Sequence, residues 1–390
     1  MKTGLDILLE KPPQKLASQR VGLVANPTTI NRSLHHGVDL MHQHPGINLV
    51  QLYGPEHGIR ATAQDQIDVE GSTDPITGLP VVCLYGKTFE SLAPSQESLK
   101  AIDTLIFDIQ DIGSRYYTYQ ATMALCMQEA AKAGVSVLVL DRPNPIAGHQ
   151  VEGGGILDAL RNFCGIYPIP QRHGMSVGEL AQFYNATFDL QCDLQVIAVK
   201  GWKRHQYYDA LDYPWVLPSP NMPTLDTAIV YPGTCLFEGT NISEARGTTR
   251  PFELLGAPFM DGYALRDEMM RLELPGITYR PAHFEPTFHK FANELCNGVQ
   301  LHVTDREAFL PYQTGLALLW AIRKLWPQEF KWKTDVYEFR DDVPAIDLLT
   351  GFPEVREAID HQKPLNAVLE LAAAGRELYD AHRDAALLYE

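Results

Sequence analysis

An α/β fold is expected: a Rossmann-like, doubly wound, mostly parallel sheet, with a second, smaller α+β domain behind it. Three observations predict it. Short runs rich in Val, Ile and Leu recur through the first half, and each stops at Gly, Pro, Asn or Asp. Helix-patterned segments separate them, and apolar strands alternating with helices make a parallel sheet covered on both faces. At 390 residues the chain exceeds one ordinary core and suits two domains of roughly 100–200 residues each.

The elements follow in order. Strands are expected at 20–28, 48–58, 79–86, 104–113 and 136–145. The clearest helix runs through 118–134, where Ala121, Leu125, Gln128 and Ala131 share a face and Gly134 supplies the stop. After residue 165 a proline-rich loop leads into a helix. Its start, Ser176 with Glu179, has the spacing of a capping box. A further strand lies at 193–202. The proline-rich stretch 215–234 closes the first domain, so the expected units are 1–230 and 231–390. In the second, helices are expected through 261–274 and 306–326, and a strand through 297–305.

Composition narrows the function. The net charge of −16 suits a nucleic-acid binder poorly, because phosphate contacts need a basic surface. An anionic small substrate would need arginines placed locally. No apolar run reaches the ~18 residues of a membrane span. The first residues lack the pattern of an export signal, so a cytoplasmic protein is expected, or a secreted or periplasmic one if the sequence is trimmed. Six scattered cysteines show no metal spacing and read as buried free thiols. "ANPTTIN" follows the first strand where a dinucleotide site would need glycines, and the glycines of 153–155 lack the lysine of a phosphate loop. No cofactor is therefore expected. The histidines lack metal-enzyme spacing, so no metal is expected either.

In an open parallel sheet, ligands bind outside the carboxyl ends of the strands. Asn26 ends the first strand. Glu56 and His57 follow the second, bracketed by Gly54 and Gly58, with Arg60 beyond. Asp108 and Asp111 end the fourth, followed by Arg115, Tyr116 and Tyr117. Asp141 and Arg142 end the fifth. The loop at 170–175 adds Arg172 and His173, and the polar loop at 237–253 adds Glu238, Asn241, Glu244, Arg246 and Arg250. Each has a plain alternative. Glu56 reads equally as a loop acid paired with Arg60, His57 as the acid–base group itself or as a hydrogen-bonded structural histidine, Asp111 as a helix cap, Asp141 and Arg142 as partners of each other, and the 237–253 loop as solvated surface. A carboxyl partly buried on the stiff Pro-Glu-His-Gly turn would suit a general acid.

These residues lie within stretches that occur in order: "YGPEHGIR", "TGLPVVCLYG", "DIQDIGSRYYTY", "DRPNPIAG", "PIPQRHGM", "LPSPNMP" and "PGTCLFEGTNISEARGTTRPF". Together they resemble the NamZ-type exo-β-N-acetylmuramidases, from about residue 18 to the end. The resemblance implies two domains, with a smaller C-terminal one closing the cleft. It implies release of terminal β-1,4-linked N-acetylmuramic acid from the non-reducing end of peptidoglycan fragments. It places the proposed catalytic carboxylate on Glu56, the adjacent histidine on His57, and a helper tyrosine on Tyr116 or Tyr117. The family loop often reads S-E-G-R-G-T. Here Ala245 stands at the first of those glycines, and it would tighten the turn if a positive φ is needed there.

The implied partner is a small carbohydrate; oligomeric state is not legible. A lactyl carboxylate calls for an arginine clamp, and Arg60, Arg115, Arg142, Arg172, Arg246 and Arg250 are candidates. Glycoside cleavage usually needs a second carboxylate, for which Glu70, Asp74, Asp108, Asp111, Glu238 and Glu244 qualify, unless the 2-acetamido group acts as internal nucleophile. Two other readings use the same scaffold: a muramic-acid-binding module, and a metal-dependent esterase or deacetylase.

Overall fold

The computed structural model describes residues 1–60 and 73–390. Six parallel strands form the larger sheet: β1 (Val21–Ala25), β2 (Leu49–Gly54), β3 (Val81–Cys83), β4 (Thr104–Asp108), β5 (Ser136–Leu140) and β6 (Leu194–Ile197). Their order is β3-β2-β1-β4-β5-β6, the doubly wound arrangement. Strand order reverses between β1 and β4, where Ala25 lies beside Asp108. Every residue of β1 and β4 is buried, as expected for a sheet covered on both faces.

The helix Tyr119–Ala133 packs on this sheet and stops at Gly134, whose φ of +67° is the left-handed cap that glycine adopts without strain. The helix Val177–Thr187 opens with the expected capping box of Ser176 and Glu179. The proline-rich stretch holds more order than its prolines suggest. The helix Leu225–Thr234 occupies its end, with Pro232 in the last turn, so residue 230 falls inside a helix.

A three-stranded antiparallel sheet follows: β7 (Leu254–Ala257), β8 (Ile277–Phe284) and β9 (Cys296–Val303), in the order β7-β9-β8. β9 is the strand expected at 297–305; β7 and β8 are additions. The helix expected from 306 begins at Pro311, because proline suits the first turn and Asp305 Oδ1 holds the preceding residues in a turn by accepting Glu307 N–H (2.9 Å).

The two lobes are tightly joined. The Glu152 carboxylate caps the helix Pro311–Leu325 by accepting Tyr312 N–H (3.1 Å). Arg115 donates to the carbonyls of Gly155, Ile169 and Leu349 at 3.0, 3.2 and 2.5 Å. Gly154 and Gly155 face the backbone of 374 and 375 so closely that a Cβ would lie 2.1 and 2.2 Å from a carbonyl oxygen. The C-terminal residues return to the first lobe, where Leu388 N–H donates to Glu179 (2.8 Å) and Tyr389 to Asp141. Among the described residues no helix is long and apolar enough to cross a membrane.

Candidate active site

A half-open cleft of about 580 Å3, its mouth included, lies at the carboxyl ends of the larger sheet, where the second lobe folds over them. Glu56, His57, Tyr116 and Tyr117 from the first lobe and Glu238 and Arg246 from the second all line it.

Glu56 sits on a turn closed by Gly58 N–H to the Pro55 carbonyl (2.9 Å). His57, at the third position of that turn, has φ +68°, the left-handed value a type II turn demands there. The turn thus presents the Glu56 carboxylate with its side chain a quarter exposed, 3.5 Å from the Thr118 hydroxyl and 3.8 Å from His57 Nε2. His57 Nδ1 is buried without a hydrogen bond among the described residues.

The tyrosine run forms one wall. Tyr116 and Tyr119 hydroxyls each donate to a proline carbonyl, Pro232 and Pro218, at 2.6 Å. Tyr117 is different. Its hydroxyl is sealed from solvent with no well-formed hydrogen bond, Ser219 being its polar neighbour, and its ring meets Tyr119 and Tyr231 edge-on. Burial raises all three phenols well above their ordinary value, so they remain donors.

The opposite wall is charged. Arg246 pairs with Glu238, lies 3.4 Å from Glu244 and stacks over Phe252 at 5.2 Å. Burial works against its charge, but Glu238 and Glu244 outweigh that and hold it protonated. Burial likewise pushes the Glu244 carboxyl up, and Lys290 (2.9 Å) and Arg246 bring it below the usual range. The turn before Arg246 has Ala245 at φ +61°, so alanine does occupy a left-handed position.

Glu338 completes the cleft, and sequence reasoning did not find it. It shares a two-residue hairpin turn with Phe339, closed by Tyr337 N–H to the Arg340 carbonyl (2.8 Å) and Arg340 N–H to that of Tyr337 (3.0 Å). Both central residues have positive φ, +46° and +66°. Asn-Gly is the usual choice for such a turn; a Glu-Phe pair costs on the order of 1–3 kcal/mol per residue. Phe339 anchors it edge-on against Phe89, and Tyr337 donates to Glu238 Oε2 (2.7 Å). Glu338 Oε2 is buried without a hydrogen-bond partner. Burial, then the charges of Glu56 and Glu238, raise this carboxyl to about 8.

Other expected binding residues lie outside the cleft lining, each with partners inside the protein. Asp108 and Arg142 form a buried bidentate pair at 2.6 and 2.9 Å. Asp111 accepts from Gly113 N–H and His173 Nε2, whose ring in turn accepts from Met175 N–H. Asp141 accepts from Gly178 N–H, Arg142 N–H, Ser176 and Tyr389, and burial lifts it to about 7. Arg172 pairs with Glu152, and Arg115 holds carbonyls between the lobes. Asn26 fixes its own turn through Thr28 N–H. Arg60 pairs with Asp39 and Asp74, and Asn241 bonds the backbone of 329 and 331. Of the arginines considered for a clamp, Arg246 alone lines the cleft. Glu70 lies outside the described residues. Ser219, Asn221 and Met222 also line the cleft, and "LPSPNMP" was their only sequence signal.

Three glutamates and one arginine facing a half-enclosed cleft, beside buried tyrosine donors, equip an acid–base enzyme for a polar substrate. Among the described residues no group of three or more His, Cys, Asp or Glu side chains is placed to hold a metal. Comparison with known proteins agrees on the class. Residues 21–226 match the N-terminal part, and residues 229–389 the C-terminal part, of the family described as exo-beta-N-acetylmuramidase NamZ. The chain belongs to that family. It is 43% identical over 389 residues to the peptidoglycan beta-N-acetylmuramidase NamZ of Bacillus subtilis, covering 100% of this chain and 91% of that protein. Two crystal structures of DUF1343 family proteins from Bacteroides fragilis have the same fold. Their TM-scores are 0.90 and 0.77 at 33% and 30% identity, with 100% of this chain and 99% of each covered.

Proposed function

We propose that the cleft removes a terminal N-acetylmuramic acid from the non-reducing end of peptidoglycan fragments, with Glu56 as general acid. In this reading the chain works as two lobes divided near residue 230. The observation that carries it is the placement of Glu56: a carboxylate on a tight turn at the mouth of a cleft lined with hydrogen-bond donors. An exo-acting enzyme holds the terminal sugar deep and leaves the departing sugar towards solvent. The acid must then reach the oxygen between them, and the Glu56 side chain, a quarter exposed on its turn, can do so. The Tyr117 ring forms part of the wall against which the sugar lies, His57 flanks the acid, and Arg246 offers its guanidinium to the lactyl carboxylate.

The test is incubation with a muramic-acid-terminated disaccharide and identification of the two monosaccharides by mass. Glu56→Gln should lower that turnover by about 100- to 10,000-fold, the usual contribution of a general acid, with an unchanged melting temperature. Retained turnover in this variant removes Glu56 from the mechanism.

A further inference from the structure

We infer that Glu338, which lines the same cleft as Glu56, is the second catalytic carboxyl group and serves the anomeric carbon of the sugar. The inference rests on the glycosidase reading above and deepens it. Geometry supports it in three ways. Glu338 lines the same cleft as Glu56, but it comes from the other lobe. Its Oε2 is sealed from solvent and has no hydrogen-bond partner, which is costly for a carboxyl unless a ligand completes it. It is also held on a strained turn whose two central residues both have positive φ, and such strain persists where the surroundings fix a side chain for a task.

The charged and titratable neighbours are Glu56 on the first-lobe turn, Cys164 on the first-lobe loop, Glu238 and Arg246 on the opposite wall, and Lys333 and Tyr337 on its own segment. Burial and the two glutamates outweigh Arg246 and Lys333, so the resting cleft keeps a proton at this end. The reactive arrangement has the proton on Glu56 and Glu338 ionised.

In the reaction Glu56 gives that proton to the departing glycosidic oxygen as the bond from that oxygen to the anomeric carbon breaks. The group that attacks the anomeric carbon, water or the sugar's own 2-acetamido oxygen, brings the electron pair for the new bond. The proton that group loses, from water O–H or the acetamido N–H, passes to Glu338. On the acetamido route water then attacks the anomeric carbon and breaks its bond to the acetamido oxygen, giving a proton to Glu56 while Glu338 returns its proton to the nitrogen; on the direct route the proton on Glu338 returns to Glu56 through solvent. Either way one water is added across the glycosidic bond and both carboxyl groups regain their starting protonation.

Leaving-group chemistry separates the roles, because a good leaving group needs no acid. Rates are compared for wild type, Glu56→Gln and Glu338→Gln on the muramic-acid-terminated disaccharide and on a dinitrophenyl β-muramide, with melting temperatures as the check on folding. Glu56→Gln should lose at least 100-fold on the disaccharide and less than 10-fold on the dinitrophenyl glycoside. Glu338→Gln should lose at least 100-fold on both, and azide should restore part of the activity of Glu338→Ala. If Glu56→Gln shows its pattern while Glu338→Gln stays within 10-fold of wild type, the inference fails and the glycosidase reading stands. A loss in Glu338→Gln confined to the disaccharide makes it the acid and overturns the assignment. If wild type cleaves neither substrate, the reading fails and takes the inference with it.

Discussion

The carboxyl ends of the larger sheet carry two sets of polar and charged side chains with opposite characters. Just behind the strand ends, Asp108 with Arg142, Asp111 with His173, and Arg172 with Glu152 are buried and matched partner to partner. One step outwards, Glu56, Glu238 and Glu338 face a cleft with Arg246 as their cation, and Glu338 Oε2 has no partner. The first set is paired across its carboxylates and cations, though Asp111 Oδ1 and Arg172 Nε keep no hydrogen bond among the described residues, and so fixes the loops. The second has more carboxylates than cations and leaves Glu338 Oε2 without a partner, which the hydroxyl and amide donors of a bound sugar would supply.

The largest test of this contrast is to break the matched set. Arg142→Ala leaves Asp108 buried and uncompensated, which should cost about 3–5 kcal/mol of unfolding free energy in chemical denaturation. A loss below 1 kcal/mol would place that pair among the dispensable ones. The unmatched set should respond with the opposite sign. Glu338 titrates at about 8 in the folded chain against an ordinary 4.5, so its ionisation is penalised by folding. That penalty is absent below pH 4.5, grows as pH rises, and is complete above about 8. Glu338→Gln should therefore stabilise the protein by roughly 2–4 kcal/mol at pH 8, with the gain vanishing by pH 4. A gain independent of pH would show another origin. The smallest effect concerns selectivity. Arg246→Lys keeps the charge but loses the planar fork, and should reduce the preference for a muramic-acid over an N-acetylglucosamine terminus, as a ratio of kcat/KM, by about 10-fold.

The larger sheet was legible because its apolar runs are continuous and each ends at a breaker. The Ser176–Glu179 cap and the Gly134 stop were legible because local hydrogen bonding dictates them. β8 was not, since Pro281 interrupts a strand that lies at the edge of its sheet, where a missing N–H is tolerated. At the site, Glu56, Tyr117 and Arg246 were readable as candidates from their turns. Asp108, Asp111 and Asp141 look equally chemical in the sequence, but only three dimensions reveal that each already has donors. Glu338 lies in the polar stretch "TDVYEFRDD", which reads as ordinary surface, and it reaches the cleft only because a hairpin folds back from the second lobe.

The central claim is that one sugar sits with the bond to be cleaved beside Glu56, between the two lobes. The most direct measurement is a crystal structure of Glu56→Gln soaked with the muramic-acid-terminated disaccharide. The terminal sugar should lie inside the cleft, its glycosidic oxygen within hydrogen-bond distance (about 3 Å) of the residue 56 amide and its lactyl carboxylate on Arg246. Density for the sugar outside this cleft, or within it but with the glycosidic bond turned away from residue 56, would contradict the account.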